Sequence, residues 1–359
     1  MSARWDLFRY SLLLREPLRF TGRELATREG LLLRLSDGAG AFGWGEVAPL
    51  PGLHPETLRE AEAALLRALT FQPPLADDGE AILSDADCPA TVRFGIDTAL
   101  LRLRAHREGC ALADMLGAHP RPYLTLNGLL SGDAATVRRQ LDHLLAQGIT
   151  AVKLKVGRRS LDADVAAVRA VRAALPDGAL LRLDANRAWS MASALAFARA
   201  IAGTAIDYIE EPLRDAAQLP EFAAQTGLAV ALDETLDERP AEDLHPFPGL
   251  AALVLKPSVL GGLRRTAALV ARLAPHGVRA VVSCAVQSGV GHAAVAALGA
   301  VLNDRDVPAG LGTFRWLASD VVDPAFSAPG GRVDIRAVEA AVTALDPLPL
   351  TAVAGGGLL

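Results

Sequence analysis

Short apolar runs alternate with longer amphipathic stretches from about residue 122 onward. The apolar runs that predict β-strands cover residues 123–126, 151–155, 180–184, 206–210, 228–233, 252–256 and 279–283, and a weaker run lies at 310–313. The stretches between them, such as 161–175 and 190–201, are rich in alanine, leucine and arginine at helical spacing. This alternation is typical of a parallel sheet that is covered by helices.

The number of strand–helix units distinguishes two kinds of parallel sheet. Seven or eight consecutive units with no intervening domain favour a closed barrel. An open doubly wound sheet is the alternative, but no Gly-x-Gly-x-x-Gly motif follows a strand in this chain. We therefore predict an α/β fold in which residues 121–320 form a TIM-type (β/α) barrel.

The pattern is different in the first 120 residues. Residues 18–35 and 40–47 predict a β-hairpin or meander around Asp37-Gly38, and residues 55–69 and 90–107 predict helices. Residues 331–335 predict one more strand, ahead of a short helix. We predict an N-terminal α+β capping domain over residues 1–120, completed by residues 321–359.

Composition and charge exclude several classes of partner. The net charge is −5 and no basic stripe is interleaved with aromatic residues, so nucleic acid is not expected. No apolar stretch approaches the roughly 18 residues of a membrane helix, so no membrane is expected either. Cys88, Cys110 and Cys284 lack a Cys-x-x-Cys pair, which favours a reducing cytoplasm. The choice between a monomer and a homo-oligomer stays open.

Lysine is rare in this chain and occurs at particular places. Only three of the 36 basic residues are lysines, and Lys153, Lys155 and Lys256 all lie at the ends of apolar runs. A buried lysine can lose its proton and act as a base, whereas an arginine stays charged. The positions predict that these lysines handle protons. A codon bias toward arginine is the alternative explanation.

Carboxylates lie at the ends of the strands between these lysines. The carboxyl ends of barrel strands share one mouth, where catalysis usually occurs. In chain order they carry Asp184, then the pair at 210–211, then the pair at 233–234. In each pair only one carboxylate can point inward, and the sequence leaves open which one. Strand alternation places Lys153 and Lys155 on one face, and Asp184 and Asn186 on one face.

Three carboxylates that converge in this way need a cation. Without one, their charges would repel and raise their pKa values. Oxygen ligands with open coordination positions suit Mg²⁺. Lysines around such an ion suit removal of a proton next to a substrate carboxylate, because the ion offsets the second negative charge that forms. The sequence predicts Mg²⁺-dependent proton abstraction from a small carboxylate.

Several motifs together resemble one known group of enzymes. They are Lys153-Leu-Lys155, Leu-Arg-Leu-Asp-Ala-Asn-Arg-Ala-Trp over 181–189, Glu-Glu-Pro over 210–212, Asp-Glu-Thr over 233–235, Lys-Pro over 256–257, Asn-Gly over 127–128 and Gly-Trp-Gly-Glu-Val-Ala-Pro-Leu-Pro-Gly over 43–52. The chain resembles the muconate-lactonizing subgroup of the enolase superfamily, and within it the o-succinylbenzoate synthase family. The resemblance covers nearly the whole chain.

The resemblance implies a fold and a metal site. The fold is a modified (β/α)₇β barrel under an N-terminal α+β capping domain. Asp184, Glu210 and Asp233 would bind Mg²⁺. The loop over residues 44–52 would close over the substrate and exclude water.

The resemblance also implies a reaction. Lys155 would remove the α-proton and return it to the departing hydroxyl in a syn elimination. Lys256 would stabilise the resulting anion from the opposite side and contact the ring. Lys153 would hold the carboxylate and lower the pKa of Lys155. The reaction would convert 2-succinyl-6-hydroxy-2,4-cyclohexadiene-1-carboxylate to 2-succinylbenzoate and water, a step of menaquinone biosynthesis.

Four further residues are substrate-binding candidates. By the same resemblance, Ser283 and Gly310 would meet the succinyl end, although Gly310 also fits an ordinary turn glycine. Arg182 fits either a substrate contact or an ion pair inside the barrel. Asn186 shares a face with Asp184. Gln287 stands where the family pattern more often has glutamate, which bears on recognition of the succinyl end.

Other activities use a similar scaffold. N-succinylamino-acid racemases and dipeptide epimerases use the same two opposed lysines, and the loop residues Leu50-Pro51-Gly52 favour the synthase. A sugar-acid dehydratase would carry histidine where Lys256 stands. A catalytically silent barrel that serves for binding would have lost some of the charged residues, and none is lost.

Overall fold

The computed structural model describes residues 4–20, 23–71, 79–238, 243–303 and 305–357. The strands are β1 (Arg4–Phe20), β2 (Arg23–Ser36), β3 (Phe42–Val47), β4 (Tyr123–Thr125), β5 (Asn127–Leu130), β6 (Ala151–Lys155), β7 (Leu180–Asp184), β8 (Tyr208–Glu210), β9 (Val230–Leu232), β10 (Leu250–Leu255), β11 (Arg279–Val282), β12 (Arg332–Asp334) and β13 (Thr351–Gly357). The α-helices are α1 (Leu58–Phe71), α2 (Glu80–Leu83), α3 (Ala90–Glu108), α4 (Leu112–Leu116), α5 (Ala134–Ala146), α6 (Leu161–Ala174), α7 (Met191–Ala200), α8 (Leu219–Thr226), α9 (Glu234–Glu238), α10 (Pro257–Leu260), α11 (Leu263–Leu273), α12 (Gly289–Gly299) and α13 (Ile335–Thr343).

Strands β5 to β11 form one parallel sheet in sequence order, and it curls into a barrel. The segment at residues 309–310 bridges its two edges. The Asn127 N–H donates to the Ala309 carbonyl at 2.8 Å, and the Gly310 N–H donates to the Val282 carbonyl at 2.8 Å. The prediction of a closed (β/α) barrel is confirmed. The weaker eighth run contributes only these bridges, because a 3₁₀ helix begins at Gly312.

The first predicted barrel strand is wrong in its position. Strand β4 pairs antiparallel with β12 outside the barrel sheet. The first barrel strand is β5, which begins at Asn127 and pairs with β6. Between them, the Leu126 N–H donates to the Gly331 carbonyl at 2.8 Å. The apolar run at 123–126 has a strand pattern, but the pattern does not tell which strand it pairs with.

Barrel residues alternate between two environments. Outward-facing residues such as Val152, Leu181 and Ile209 pack against the surrounding helices in the largest apolar cluster. A smaller cluster of inward-facing residues fills the interior and consists of Tyr208, Ala231, Ala252, Val254, Val281 and Val307. Three charged residues, Lys155, Asp184 and Glu210, stand at the carboxyl ends of β6, β7 and β8, where barrel strands open onto the mouth.

The capping sheet has the order β13-β1-β2-β3, and all of its strands are antiparallel. The predicted hairpin around Asp37-Gly38 is formed by β2 and β3. Strand β1 begins at Arg4, well before the predicted start at residue 18. Strand β13, in residues that had no predicted strand, pairs with β1. The proposed domain limits at residues 120 and 320 stay a prediction.

The capping sheet lies close to helix α3 because β3 carries glycine at two alternate positions. A Cβ on Gly45 would come within 1.9 Å of the Gly95 carbonyl oxygen, and a Cβ on Gly43 within 2.1 Å of the Ala99 carbonyl oxygen. Any larger residue would push β3 away from the helix. This close packing positions the loop that follows β3.

A buried carboxylate attaches the capping sheet to the barrel. Glu46 of β3 accepts hydrogen bonds from the Ser288 N–H at 2.9 Å, the Ser288 hydroxyl at 2.8 Å, the Gly291 N–H at 2.7 Å and the Tyr10 hydroxyl. Two of these donors are N–H groups at the start of α12, which have no partner inside the helix. The negative charge also suits the positive end of the helix dipole. This contact fixes the cap beside the end of β11.

Among the described residues, no helix is both long and apolar enough to cross a membrane.

Candidate active site

Lys155 and Asp184 lie opposite each other on β6 and β7, in the same register of the parallel pair. The Lys155 ammonium donates to Asp184 Oδ2 at 2.6 Å and to Asn186 Oδ1 at 2.8 Å. Asn186 has a φ of 42°, so the chain turns at the strand end and brings its amide back toward the lysine. The predicted shared face of Asp184 and Asn186 is observed.

Lys153 lies one step deeper on the same face of β6. Its ammonium donates to Glu210 Oε1 at 2.9 Å and Oε2 at 3.0 Å, and it lies 2.9 Å from Asp184 Oδ2. Asp184 therefore contacts both lysines of β6. Lys153 joins the carboxylates of two neighbouring strands.

Lys256 occupies the other side of the mouth. It follows β10 and forms an ion pair with Asp233, which follows β9. Strands β7, β8 and β9 lie between β6 and β10 in the sheet. The carboxylates of Asp184, Glu210 and Asp233 are thus flanked by lysine on both sides, as the sequence predicts.

The structure shows which carboxylate of the first acidic pair faces the lysines. Glu210 is fully buried and contacts Lys153. Glu211 points away and accepts hydrogen bonds from the Asp233 N–H at 2.9 Å and the Thr235 N–H at 2.7 Å. Its other oxygen accepts from Arg187 at 3.1 Å. Glu211 therefore holds the turn that carries Asp233.

In the second acidic pair, Asp233 and Glu234 have different partners. Asp233 pairs with Lys256, whereas Glu234 Oε1 accepts a hydrogen bond from the Asn186 side-chain amide at 2.9 Å. Glu234 Oε2 is buried without a hydrogen-bond partner among the described residues. Asn186 thus links Lys155 to Glu234. The double acidic motif was visible in the sequence, but this link was not.

Burial and charge shift the pKa values of the cluster in opposite directions. Burial would raise the pKa of Asp184, but the charges of Lys153 and Lys155 act more strongly together and hold it well below its usual value. Burial raises the pKa of Glu210, and the charges of Asp184 and Asp233 raise it further despite Lys153. The three carboxylates therefore act on one another electrostatically.

Burial and the carboxylate charges also act in opposite directions on the pKa values of the lysines. Burial alone would lower the pKa of Lys153, but the charges of Asp184 and Glu210 raise it well above its usual value. Burial would likewise lower the pKa of Lys256, and the Asp233 charge raises it. The protein groups alone thus keep both as ammonium ions.

The donor set fits a magnesium ion by its chemistry. Asp184 and Glu210 are fully buried and Asp233 is nearly so, and all three supply only oxygen. Their mutual repulsion, visible in the raised pKa of Glu210, is what a divalent cation would relieve. No group of three ligands is preassembled for a metal in the described parts of the chain. Lysine ammonium groups lie between these carboxylates instead.

Ser283 and Gly310 come together at the mouth. The Ser283 hydroxyl donates to the Gly310 carbonyl at 3.2 Å, and a Cβ on Gly310 would lie 3.0 Å from that hydroxyl oxygen. The Ser283 N–H donates to the Leu255 carbonyl at 2.8 Å, which places Ser283 beside Lys256. Both residues lie on the β10–β11 side. Their contact with a substrate stays a prediction.

Arg182 lies deep in the barrel. It is 1% exposed, and its Nε donates to Asp207 at 3.1 Å. Its Nη1 donates to the Pro308 carbonyl at 2.8 Å, and its guanidinium lies 5.2 Å from the centre of the Tyr208 ring. Asp207 precedes β8, at the opposite end of that strand from the lysine cluster. The interior ion pair is therefore observed, and a substrate contact by Arg182 stays a prediction that these contacts do not support.

Arg182→Met is expected to lower the free energy of unfolding by about 3 kcal/mol, because it breaks a buried ion pair. Urea denaturation would measure the change. Arg138→Met is the control, since the Arg138–Asp142 pair on α5 is exposed and should contribute under about 1 kcal/mol. A stable Arg182→Met protein that has lost substrate affinity would instead assign Arg182 to substrate binding.

The predicted capping loop is held in place by one arginine. Arg28 is 3% exposed and donates to the carbonyl groups of Ala48 and of Pro49, the latter at 2.9 Å. It also donates to the Val286 carbonyl at 2.7 Å. Val286 follows the end of β11, so Arg28 ties the loop to the rim of the barrel. Sequence reasoning missed Arg28, since an arginine among many gives no pattern.

Comparison with known proteins gives the family. A family model described as enolase C-terminal domain-like matches residues 136–339, and one described as the MenC N-terminal domain matches residues 2–103. The o-succinylbenzoate synthase of Pectobacterium atrosepticum is 34% identical over 319 residues, which cover 88% of this chain and 92% of the relative. Several further o-succinylbenzoate synthases match at similar identity.

Solved structures share the fold. A member of the enolase superfamily from Roseovarius nubinhibens, complexed with magnesium, has a TM-score of 0.83 at 21% identity and covers 99% of both chains. The N-succinyl Arg/Lys racemase of Bacillus cereus has a TM-score of 0.79 at 19% identity and also covers 99% of both chains. The fold class predicted from the sequence is confirmed. The chain therefore belongs to the o-succinylbenzoate synthase family of enzymes, within the enolase superfamily.

Proposed function

We propose that this enzyme is a Mg²⁺-dependent hydro-lyase that converts 2-succinyl-6-hydroxy-2,4-cyclohexadiene-1-carboxylate to 2-succinylbenzoate and water, in menaquinone biosynthesis. The observation that carries the proposal is the placement of Lys155 and Lys256 on opposite sides of three buried carboxylates. The names of the curated relatives support the same activity. Its partner would be a small carboxylate, and its compartment the cytoplasm.

Asp184, Glu210 and Asp233 would hold Mg²⁺. When bound, the ion supplies positive charge that offsets the charge growing on the substrate carboxylate as the proton leaves. It would also relieve the repulsion that raises the pKa of Glu210.

Lys155 would move the proton. Its neutral amine takes the hydrogen from the ring carbon that bears the carboxylate, and the electron pair of that C–H bond passes to the carboxylate. The pair then forms the ring double bond while the C–O bond to the hydroxyl breaks. The Lys155 ammonium returns its proton to the departing hydroxyl, which leaves as water. One lysine serves both steps if the hydrogen and the hydroxyl leave from the same face.

Asn186 would orient this lysine between the two steps. Its Oδ1 accepts from the Lys155 ammonium at 2.8 Å, while its amide group donates to Glu234. Because the amide is held by Glu234, its oxygen stays directed at the lysine. Asn186 is therefore proposed as a positioning residue.

Lys256 would act as a fixed cation on the opposite side. The Asp233 charge helps keep its pKa above the ordinary value, so it remains an ammonium ion at neutral pH. An ammonium group in this position stabilises negative charge on the substrate and attracts the face of an aromatic ring. It would thereby favour the aromatic product.

A paired assay tests the function. With Mg²⁺ and the cyclohexadiene acid, the purified protein is expected to cause rapid loss of the diene absorbance, and EDTA is expected to stop it. In parallel, N-succinylamino acids are incubated in D₂O and α-deuterium exchange is followed by NMR. The synthase should show diene turnover that greatly exceeds any exchange.

The racemase is the second candidate, because the two opposed lysines also suit proton exchange at the α-carbon of an N-succinylamino acid. Brisk deuterium exchange without diene turnover would overturn the synthase and establish the racemase. Absence of both activities in the Mg²⁺-loaded protein would favour a binding protein on this scaffold.

A further inference from the structure

Leu129 of β5 faces the inside of the barrel. In the ladder between β5 and β6 it pairs with Lys153, whose ammonium lies among the inward-facing carboxylates. Paired residues of adjacent strands share one face of a sheet, and successive residues of a strand alternate between the faces. A Cβ on Gly128 would come within 2.4 Å of the Leu144 side chain of α5. Gly128 therefore faces the outer helices, and Leu129 faces the interior.

Leu129 is open to solvent although it lies on an inner face. It is 39% exposed, whereas Asn127, two residues earlier on the same face, is 7% exposed. Solvent therefore reaches Leu129 from the mouth and not from the opposite end of the barrel. Single exposed leucines are ordinary on an outer surface, but this apolar side chain meets water inside the mouth. A ligand that displaced this water would gain free energy by covering Leu129.

The position of Leu129 around the mouth follows from the order of the strands. Residues 309–310 bridge β11 and the start of β5 and act as the eighth member of the ring. Lys155 on β6 is then four steps from Lys256, which follows β10. Leu129 on β5 is likewise four steps from Asp233, which follows β9. Since four steps in a ring of eight reach the opposite side, Leu129 lies across the mouth from Asp233 and next to the strand that carries Lys155.

We propose that Leu129 is a substrate-binding residue that packs against the six-membered ring of the substrate, at the edge away from the metal site. The inference rests on the proposed function, which supplies the substrate. The ring would lie between Lys155 and Lys256, with its carboxylate directed to the metal ligands of β7 to β9. The opposite edge of the ring consists of C–H groups and faces β5. An apolar side chain covers these groups without needing a hydrogen bond, and the succinyl arm is left to Ser283 and Gly310.

Three substitutions separate the size of this side chain from its apolar character. Leu129→Asn keeps a branched side chain with the same number of heavy atoms but makes it polar. Leu129→Met keeps an apolar side chain of similar volume, and Leu129→Ala shortens it. Leu348→Ala is the control for loss of an exposed leucine, since Leu348 lies in the turn before β13 and is 87% exposed.

Calorimetry on the Mg²⁺-loaded full-length protein tests the proposal with two probes, 2-succinylbenzoate and benzoate, which has the ring but lacks the succinyl arm. Leu129→Ala and Leu129→Asn are each expected to weaken both probes about tenfold, because apolar contact area is lost or replaced by polar atoms. The KM for the cyclohexadiene acid should rise by a similar factor. Leu129→Met and Leu348→Ala should stay within about threefold of the wild type. Thermal denaturation confirms that all four variants are folded.

Three outcomes would each overturn the proposal. The first is an unchanged affinity for 2-succinylbenzoate, or an unchanged KM, in Leu129→Ala. The second is a loss of affinity for 2-succinylbenzoate with none for benzoate, which would place Leu129 against the succinyl arm. The third is wild-type affinity in Leu129→Asn beside a loss in Leu129→Ala, which would show that the shape of the side chain matters and its apolar character does not.

Turnover of the cyclohexadiene acid by the wild type distinguishes this proposal from the proposed function. Wild-type protein that turns over the acid while any of the three outcomes holds would refute the role of Leu129 alone. Wild-type protein without turnover that still shows the expected affinities would refute the synthase and leave the ring contact in place. Wild-type protein that neither turns over the acid nor binds either probe would refute both.

Discussion

Lys155→Arg is expected to reduce turnover of the cyclohexadiene acid by about 10³-fold or more, since the general base is lost. Arginine keeps the positive charge and can still pair with Asp184, so the ion pair at 2.6 Å has a substitute. It cannot release a proton at neutral pH, because its pKa is above about 12. The variant therefore separates the positive charge of this residue from its ability to transfer a proton.

Two measurements make this result specific. Mg²⁺ affinity, followed by calorimetry, should remain close to that of the wild type, because no metal-ligand candidate is changed. Arg138→Lys, which exchanges the same two residue types on the exposed face of α5, should keep full activity. Substantial turnover by Lys155→Arg would show that another group removes the proton.

Asp184→Asn is expected to weaken Mg²⁺ binding by about 100-fold or more and to reduce turnover by about 10³-fold. Asp184 is fully buried and contacts both Lys153 and Lys155. An amide in its place offers one neutral oxygen to the cation and presents an N–H group to two ammonium ions. Calorimetric titration with Mg²⁺ and the diene assay would measure the two effects.

Asp97→Asn is the matched control for this substitution. Asp97 is a buried carboxylate, 1% exposed, that pairs with Arg264 between α3 and the start of α11. Its replacement should lower stability, as the loss of a buried charge pair does, without changing Mg²⁺ affinity. If Asp184→Asn bound Mg²⁺ as tightly as Asp97→Asn, Asp184 would not be a metal ligand.

The arrangement of the charged cluster was predictable because two simple rules act together. Strand alternation places Lys153 and Lys155 on one face, and the barrel rule directs all strand ends to one mouth. Asp184 and Lys256 therefore lie where the sequence predicts. Glu211 has a φ of 39° and its side chain accepts from the Asp233 N–H instead of facing the lysines, which no local pattern indicates.

The remaining differences come from contacts between distant parts of the chain. Strand β4 has the same apolar pattern as a barrel strand, and only its partner β12 reveals that it lies outside. Arg182 points inward as alternation requires, but its depth depends on Asp207 and Pro308.

The pairing of β13 with β1 has a consequence for the order of folding. Arg4 lies opposite Gly357, so nearly the whole described chain separates two adjacent strands of the capping sheet. Closing so large a loop is entropically unfavourable, and contacts of this range form late. Strands β5 to β11 pair only with near neighbours in sequence, and a long-range closure is needed only where residues 309–310 bridge the two edges of that sheet. The parallel sheet of β5 to β11 can therefore assemble before β13 joins the cap, and the capping sheet is complete only once its two sequence-distant edge strands have met.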